Sequence, residues 1–309
     1  MRIIDCQTNI GISPHGPIGD LAYYIKMAVQ MGVTDALLFP TPTFARGSCT
    51  KALWKVGNDR EIKFIDAGKN GQEEESDRNP YFADNLEIIA TASDVNNKGE
   101  GIIFYPVWKI HPALDNSEDV DRLLAARRVY ALKVHGIATA TYPEKLPNWL
   151  PRLALKHNLP IVFHTDFFRG TPQTYLEYLY QKNNPLDYVK WGNKNKVKTV
   201  INHGARLDRK AVNQIKQSDN TMIVYGPDCH IESTGRTSVK TTDYTTDLFR
   251  MTPAEKVMFS SDYPWNRDNI ADENTERWDS VKRVKGLLSQ RDSEKVLFEN
   301  AADFFRIDK

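Results

Sequence analysis

The chain alternates short, nearly continuous apolar runs with longer stretches whose apolar residues recur at helical spacing. Eight runs stand out: Arg2–Asn9, Ala36–Pro40, Ile102–Val107, Val129–Val134, Ile161–His164, Lys198–His203, Met222–Tyr225 and Lys256–Ser261. They are rich in Val, Ile and Phe, which predicts parallel strands covered on both faces. Between them, Leu21, Ile25 and Ala28 share one helix face, as do Leu86, Ile89 and Ala90. Leu123 and Leu124 mark a further helix, as do Leu150, Leu153 and Ala154, then Val212 and Ile215. A C-terminal helix carries Trp278, Val281, Leu287 and Leu288, and Thr252-Pro253-Ala254-Glu255 has the form of a capping box. Eight strand–helix alternations predict an α/β fold, a distorted (β/α)8 TIM barrel forming a single domain over residues 1–309.

Charge narrows the function. Lys plus Arg number 41 against 40 Asp plus Glu, a net charge of +1. A dedicated nucleic-acid binder usually carries a basic excess, so no nucleic-acid partner is expected. No apolar run approaches the roughly 20 residues of a membrane span. The N-terminus passes from Met1-Arg2 directly into a strand-like run, without the apolar region of a signal peptide. Cys6, Cys49 and Cys229 are far apart and form no CxxC. A reducing compartment without a disulfide framework follows, and the protein reads as cytoplasmic. Neither a GxGxxG, a GxxxxGK[ST] nor a GxSxG element is present. Lys69–Pro80, with three consecutive glutamates, reads as a solvated loop, and Thr234–Asp247 as a long loop after the seventh run.

In a parallel barrel the chemistry sits at the carboxyl ends of the strands. The polar residues there are Gln7-Thr8-Asn9 after the first run, Lys133-Val134-His135 at the fourth, and His164-Thr165-Asp166 at the fifth. Asn202-His203-Gly204 ends the sixth and Ser261-Asp262-Tyr263 the eighth. A lone histidine at a strand end is commonly structural. Two histidines and an aspartate ending three different strands would instead converge on one pocket. Imidazole with carboxylate suits zinc or a similar ion. A catalytic zinc keeps about three protein ligands and an open position, and yields hydroxide near neutral pH. Asp262 would take the proton of the attacking water and return it to a leaving group.

These stretches together resemble the amidohydrolase superfamily, in particular its branch of lactonases, decarboxylases and hydrolases. The matching segments are Ile3–Asp5, Ala131–His135, Leu159–Thr165, Val200–Gly204, Val257–Trp265 and Glu299–Ala301, in order along nearly the whole chain. The resemblance implies a metal site at the barrel mouth. It also exposes a departure: the family's strand-one His-x-His is here Gln7-Thr8-Asn9. Neutral amides are poor zinc ligands, so that metal position is lost or weakened.

Two readings follow. In the first, one divalent metal (zinc, with manganese or iron as alternatives) is held by His164, His203 and Lys133, the last carboxylated. Asp262 and His203 are then the catalytic residues, with hydroxide generated on the single metal. The substrate is a small molecule hydrolysed at a C–N or C–O bond. Single-metal deacetylases of the superfamily with Gln-x-Asn at strand one make that departure compatible with catalysis. In the second, the barrel is a metal-free pseudoenzyme binding a ligand or protein partner. Non-oxidative decarboxylation is a third outcome of the same constellation. Lys133 is alternatively an unmodified structural lysine. Candidate substrate-binding residues are Gln7, Asn9, His135, Arg169, Arg206 and His230. Arg46 follows the second run and Lys109 and His111 the third; cations facing inward would select an anionic substrate. Trp108, Tyr263 and Trp265 are candidate walls. Homodimerisation is common among such barrels and is the expected oligomer.

Overall fold

A computed structural model describes residues 1–13, 16–18, 20–40, 52–56, 62–66, 79–139, 141–165, 181–226, 241–263 and 276–308. Eleven strands are formed among them: β1 (Ile4–Ser13), β2 (Gly16–Ile18), β3 (Asp35–Pro40), β4 (Ala52–Val56), β5 (Ile62–Asp66), β6 (Ile103–Ile110), β7 (Ala131–Val134), β8 (Ile161–Phe163), β9 (Thr199–Ile201), β10 (Thr221–Tyr225) and β11 (Val257–Phe259). All eight expected runs are strands. They pair in parallel in the order β11-β10-β9-β8-β7-β6-β3-β1, which is chain order apart from the short insertions. Helices alternate with them, beginning with α1 (Leu21–Gln30), α2 (Phe82–Lys98) and α3 (Ser117–Ala126). The result is a nearly closed (β/α)8 TIM barrel.

The strand sequences look uniformly apolar because both faces are buried. Leu37 and Phe39, Ala131, Val162, Val200, Met222 and Val224, and Met258 share one cluster with Ile4 and Cys6, filling the barrel interior. The alternate residues Ala36 and Leu38, Leu132 and Val134, Ile161 and Phe163, Ile201, Ile223 and Tyr225, and Val257 and Phe259 pack outward against the helices. Each fully buried Val, Leu, Ile or Phe contributes about 1.5–3 kcal/mol over exposure. Ala301, Ala302, Phe304 and Phe305 of the last helix (Asn300–Phe305), with Ile307, join the interior cluster.

Three features depart from the expected pattern. An antiparallel β1–β2 hairpin and a separate antiparallel β4–β5 pair were not anticipated. The third barrel strand runs on to Ile110, so Lys109 lies within it and not in the loop that follows. Asn85 of α2 is the reason: its side chain accepts from the Lys109 N–H at 2.7 Å and donates to the Lys109 carbonyl at 2.9 Å. The capping box does not form. Ala254–Lys256 makes only a 3-10 turn before β11, and the Thr252 hydroxyl caps nothing. Asn300 Nδ2 takes the Ala254 and Val257 carbonyls, each at 2.7 Å, and holds that turn.

Closure between β1 and β11 uses few main-chain bonds. One parallel bridge joins Thr8 to Tyr263, and the Asn9 N–H donates to the Tyr263 carbonyl at 2.7 Å. Asp5 does the rest. Its carboxyl receives the Ser261 N–H at 2.9 Å, the Ser261 hydroxyl, the Tyr24 hydroxyl at 2.9 Å and the Gln7 N–H at 3.1 Å. Burial raises its pKa, and those donors oppose the rise. Asp5→Ala strands several buried donors. It should lower the unfolding free energy by about 2–4 kcal/mol in urea denaturation. A loss below about 0.5 kcal/mol, the range of a surface substitution, would show that the seam does not depend on this carboxyl.

Candidate active site

The in–out alternation of each strand decides which polar residues enter the barrel mouth. Lys109 follows interior Val107 by two positions, Lys133 follows Ala131, His164 follows Val162 and Asn202 follows Val200. His203 breaks the rule, since strict alternation after Ile201 would turn it toward the helices. Residues 203–207 all lie in the left-handed region, with φ between 50° and 56°. Consecutive left-handed L-residues are costly and occur where surrounding structure imposes them. That turn brings the His203 ring back to His164. Asp262 is likewise left-handed, at φ 50°. A register irregularity in β1 between Asp5 and Thr8 directs Gln7 to Asp262.

The side chains form one connected array. His203 Nε2 lies 2.9 Å from His164 Nδ1, and His203 Nδ1 lies 3.8 Å from Asp262 Oδ2. The His135 ring stacks on His164 with centroids 3.8 Å apart. Gln7 Nε2 donates to Asp262 Oδ1, while Gln7 Oε1 accepts from Asn202 Nδ2. The Ser260 hydroxyl accepts the Asp262 N–H at 2.9 Å and donates to the Gln7 carbonyl at 3.2 Å. Asp262 is thus held on one side by an amide and faces an imidazole on the other.

Electrostatics set the protonation states. Burial lowers Lys133 to about 7 against the opposing pull of Asp262. Its Nζ sits 5.2 Å from the Phe39 ring centroid and has no hydrogen-bond partner among the described residues. Lys109 pairs with Lys133 in the β6–β7 register and is also lowered to about 7, by burial and by Lys133, with Asp84 and Asp115 opposing. Its Nζ lies 3.7 Å from the Tyr81 ring centroid. His135 is pushed well down by burial and by both lysines, so it is neutral at physiological pH. His111 falls to about 3 through burial and the Lys109 charge. Asp115 rises to about 7 through burial.

Of the sequence-predicted residues, His164, His203, Asp262, Gln7 and His135 come together in this array, with the Lys133 charge acting on His135 and Asp262. Asn9 instead serves the seam, its Nδ2 donating to the Tyr263 carbonyl at 3.2 Å. Arg206 Nη2 donates to the Asn183 carbonyl at 3.0 Å. Trp108 belongs to the helix-facing core against Phe82, so it does not wall the mouth. Tyr263 packs on Tyr24 in the same outer core and exchanges hydrogen bonds with the Asp20 backbone. Arg46, Asp166, Arg169, His230 and Trp265 lie outside the described residues, as do Cys49, Cys229 and residues 69–78 and 234–240 of the two expected loops; residues 241–247 of the second are not a loop but open the helix Thr241–Met251. Sequence reasoning missed the buried position of Lys109 and the amide link from Asn202 to Gln7. Alternation from Val107 and from Val200 was the available signal for both.

The amidohydrolase family profile matches residues 95–307, more than half of the chain. The chain belongs to the amidohydrolase family. No curated protein sequence matches it significantly. Similar solved folds include an uncharacterised TIM-barrel protein of Bordetella bronchiseptica, at 12% identity and TM-score 0.61, covering 99% of each chain. A putative 2-pyrone-4,6-dicarboxylic acid hydrolase of Pseudomonas putida is 11% identical with TM-score 0.56, over 99% of this chain and 98% of that one. The 4-oxalomesaconate hydratase of Rhodopseudomonas palustris is 11% identical with TM-score 0.61, over 98% and 95%. At these identities the likeness is one of fold. The names of similar folds include a hydrolase, a hydratase and a dihydroorotase, and relatives in the family typically bind a metal. No described helix is long and apolar enough to cross a membrane.

Among the described residues, no three His, Cys, Asp or Glu side chains group as metal ligands. The strand-one amides do not suit a metal: Gln7 spends its oxygen on Asn202 and its nitrogen on Asp262. The His164 and His203 nitrogens do converge, and the amine of Lys133 lies beside this array.

In the metal-free chain with Lys133 unmodified, the two lysines make the fold pH-sensitive. Unfolded, they titrate near about 10.4. Between about 7 and that value the unfolded chain binds more protons, so stability rises with pH across this window. Lys109→Met/Lys133→Met should flatten the rise in urea midpoints taken from about pH 7 to 9.5. An unchanged slope would place the amines in water.

Proposed function

We propose that this amidohydrolase is a cytoplasmic single-metal hydrolase of one domain, acting on a C–N or C–O bond of a small anionic substrate. The carrying observation is the convergence of His164, His203 and Asp262 from three different strand ends beside the Lys133 amine, which has no hydrogen-bond partner among the described residues. The donor set fits one divalent ion, zinc or alternatively manganese or iron. His164 and His203 supply two imidazoles, and carboxylated Lys133 supplies an anionic oxygen as the third ligand. Such an ion, when bound, lowers the pKa of a water and polarises a carbonyl.

The rest is the work of this chain. Asp262 accepts a proton from the attacking water at the oxygen not held by Gln7 and returns it to the leaving nitrogen or oxygen. Gln7 and Ser260 restrict Asp262 to one orientation. His135 packs flat on His164 and fixes its ring plane. Arg169, Arg206 and His230 remain the proposed substrate contacts, and a homodimer the proposed assembly. Decarboxylation of a similar substrate would use the same groups.

A second reading rests on the amide of Gln7. Bridging Asp262 and Asn202 through both amide atoms, it links them in a polar array that would bind a ligand with no metal chemistry.

Metal analysis of unchelated protein by mass spectrometry separates the two. The hydrolase reading expects about one equivalent of metal, lost in His164→Ala. Protein that stays metal-free after reconstitution at neutral pH would overturn it in favour of the ligand-binding barrel. Once a substrate is found, Asp262→Asn should lower kcat about 10²–10⁴-fold, with metal content kept. Unchanged kcat would remove Asp262 from proton transfer.

A further inference from the structure

Carboxylation of Lys133 leaves one charge to be balanced. The amine lone pair attacks carbon dioxide, an N–C bond forms, one C=O electron pair moves to oxygen, and the nitrogen gives up a proton to bicarbonate or another solution base. The product is a carbamate whose single negative charge spreads over two oxygens. A single metal engages one of them. The other oxygen then sits in a site where Lys133 is 4% exposed. A buried anionic oxygen without a cation or donor is costly. A second metal on the strand-one side has no ligands, because Gln7 and Asn9 are amides already engaged with Asp262, Asn202 and Tyr263.

The neighbouring strand holds the group that meets this need. Lys109 stands directly opposite Lys133 in the parallel β6–β7 register, and the residues two positions before each, Val107 and Ala131, point into the barrel. Its side chain is fully buried. The ring of Tyr81 lies 3.7 Å beneath the ammonium, a contact that favours a cation. Asp84 and Asp115 act on it with the same sign. Asn85 fixes its backbone on both sides, so it cannot drift along the strand. Two buried cations side by side repel one another, which makes the pair unfavourable while Lys133 is a plain amine. Carboxylation reverses the sign of one partner and turns the repulsion into attraction.

We propose that Lys109 is a positioning residue, the ammonium counter-ion of carboxylated Lys133, supplying the positive charge that no second metal brings. The inference rests on the Lys133 reading above.

The test is carbon-13 NMR of the metal-reconstituted full chain equilibrated with labelled bicarbonate. A protein carbamate signal is expected in the wild type and absent in Lys133→Ala. In Lys109→Met its occupancy at fixed bicarbonate should fall by about tenfold or more, the loss of a bond to a charged group. Lys109→Arg, which keeps the cation, should recover most of it. Lys109→Gln replaces the Met variant if circular dichroism shows that the latter does not fold. A full signal in the folded Met or Gln variant would overturn the role of Lys109 while leaving carboxylated Lys133 intact. No wild-type signal would overturn the Lys133 reading itself.

Discussion

The barrel closes where the Asp5 carboxyl, wholly buried, gathers donors from Ser261, Tyr24 and the Gln7 backbone. Strands β1 and β11 share little main-chain pairing, so this junction carries most of the closure. Asn9 and Tyr263 add to it. The site depends on the same junction. Gln7 and Asp262 each lie within two residues of the contact, and they meet only because Asp5 and Ser261 hold the two strand ends together.

Charge at the mouth is arranged in an unusual balance. Two lysines, three histidines and one aspartate meet there, all buried except the half-buried His164, and burial pushes the lysines and His135 toward their neutral forms. A site in that condition is ready for an anion, a metal ligand or a modification that restores charge balance. The amide of Gln7 neutralises nothing. It orients Asp262 and leaves the charge to be settled by Lys133 and its neighbour Lys109.

Much of the architecture was legible along the chain. Runs such as Ala36–Pro40 and Met222–Tyr225 are apolar at every position, and only strands buried on both faces have a use for that pattern. The histidines and aspartate after these runs were legible for the same reason, because parallel strands deliver their carboxyl ends to one mouth. Lys109 was harder to read. Its burial depends on Asn85, a residue 24 positions away that extends β6 past Val107. Trp108 resembled a pocket wall until alternation turned it to the helices.

The sequence by itself determined the strand–helix rhythm, the two-faced burial of each strand and the absence of histidine at the end of β1. These follow from local composition and periodicity. Tertiary structure alone decided which side chains touch. The left-handed turn at His203–Leu207 reverses the direction that alternation assigns to His203. The irregularity in β1 sends Gln7 across the seam to Asp262, and the β6–β7 register sets one lysine against another. The reason is physical: periodicity along one strand fixes a side chain's face, whereas contact between strands depends on register and closure, which arise only when the whole barrel packs.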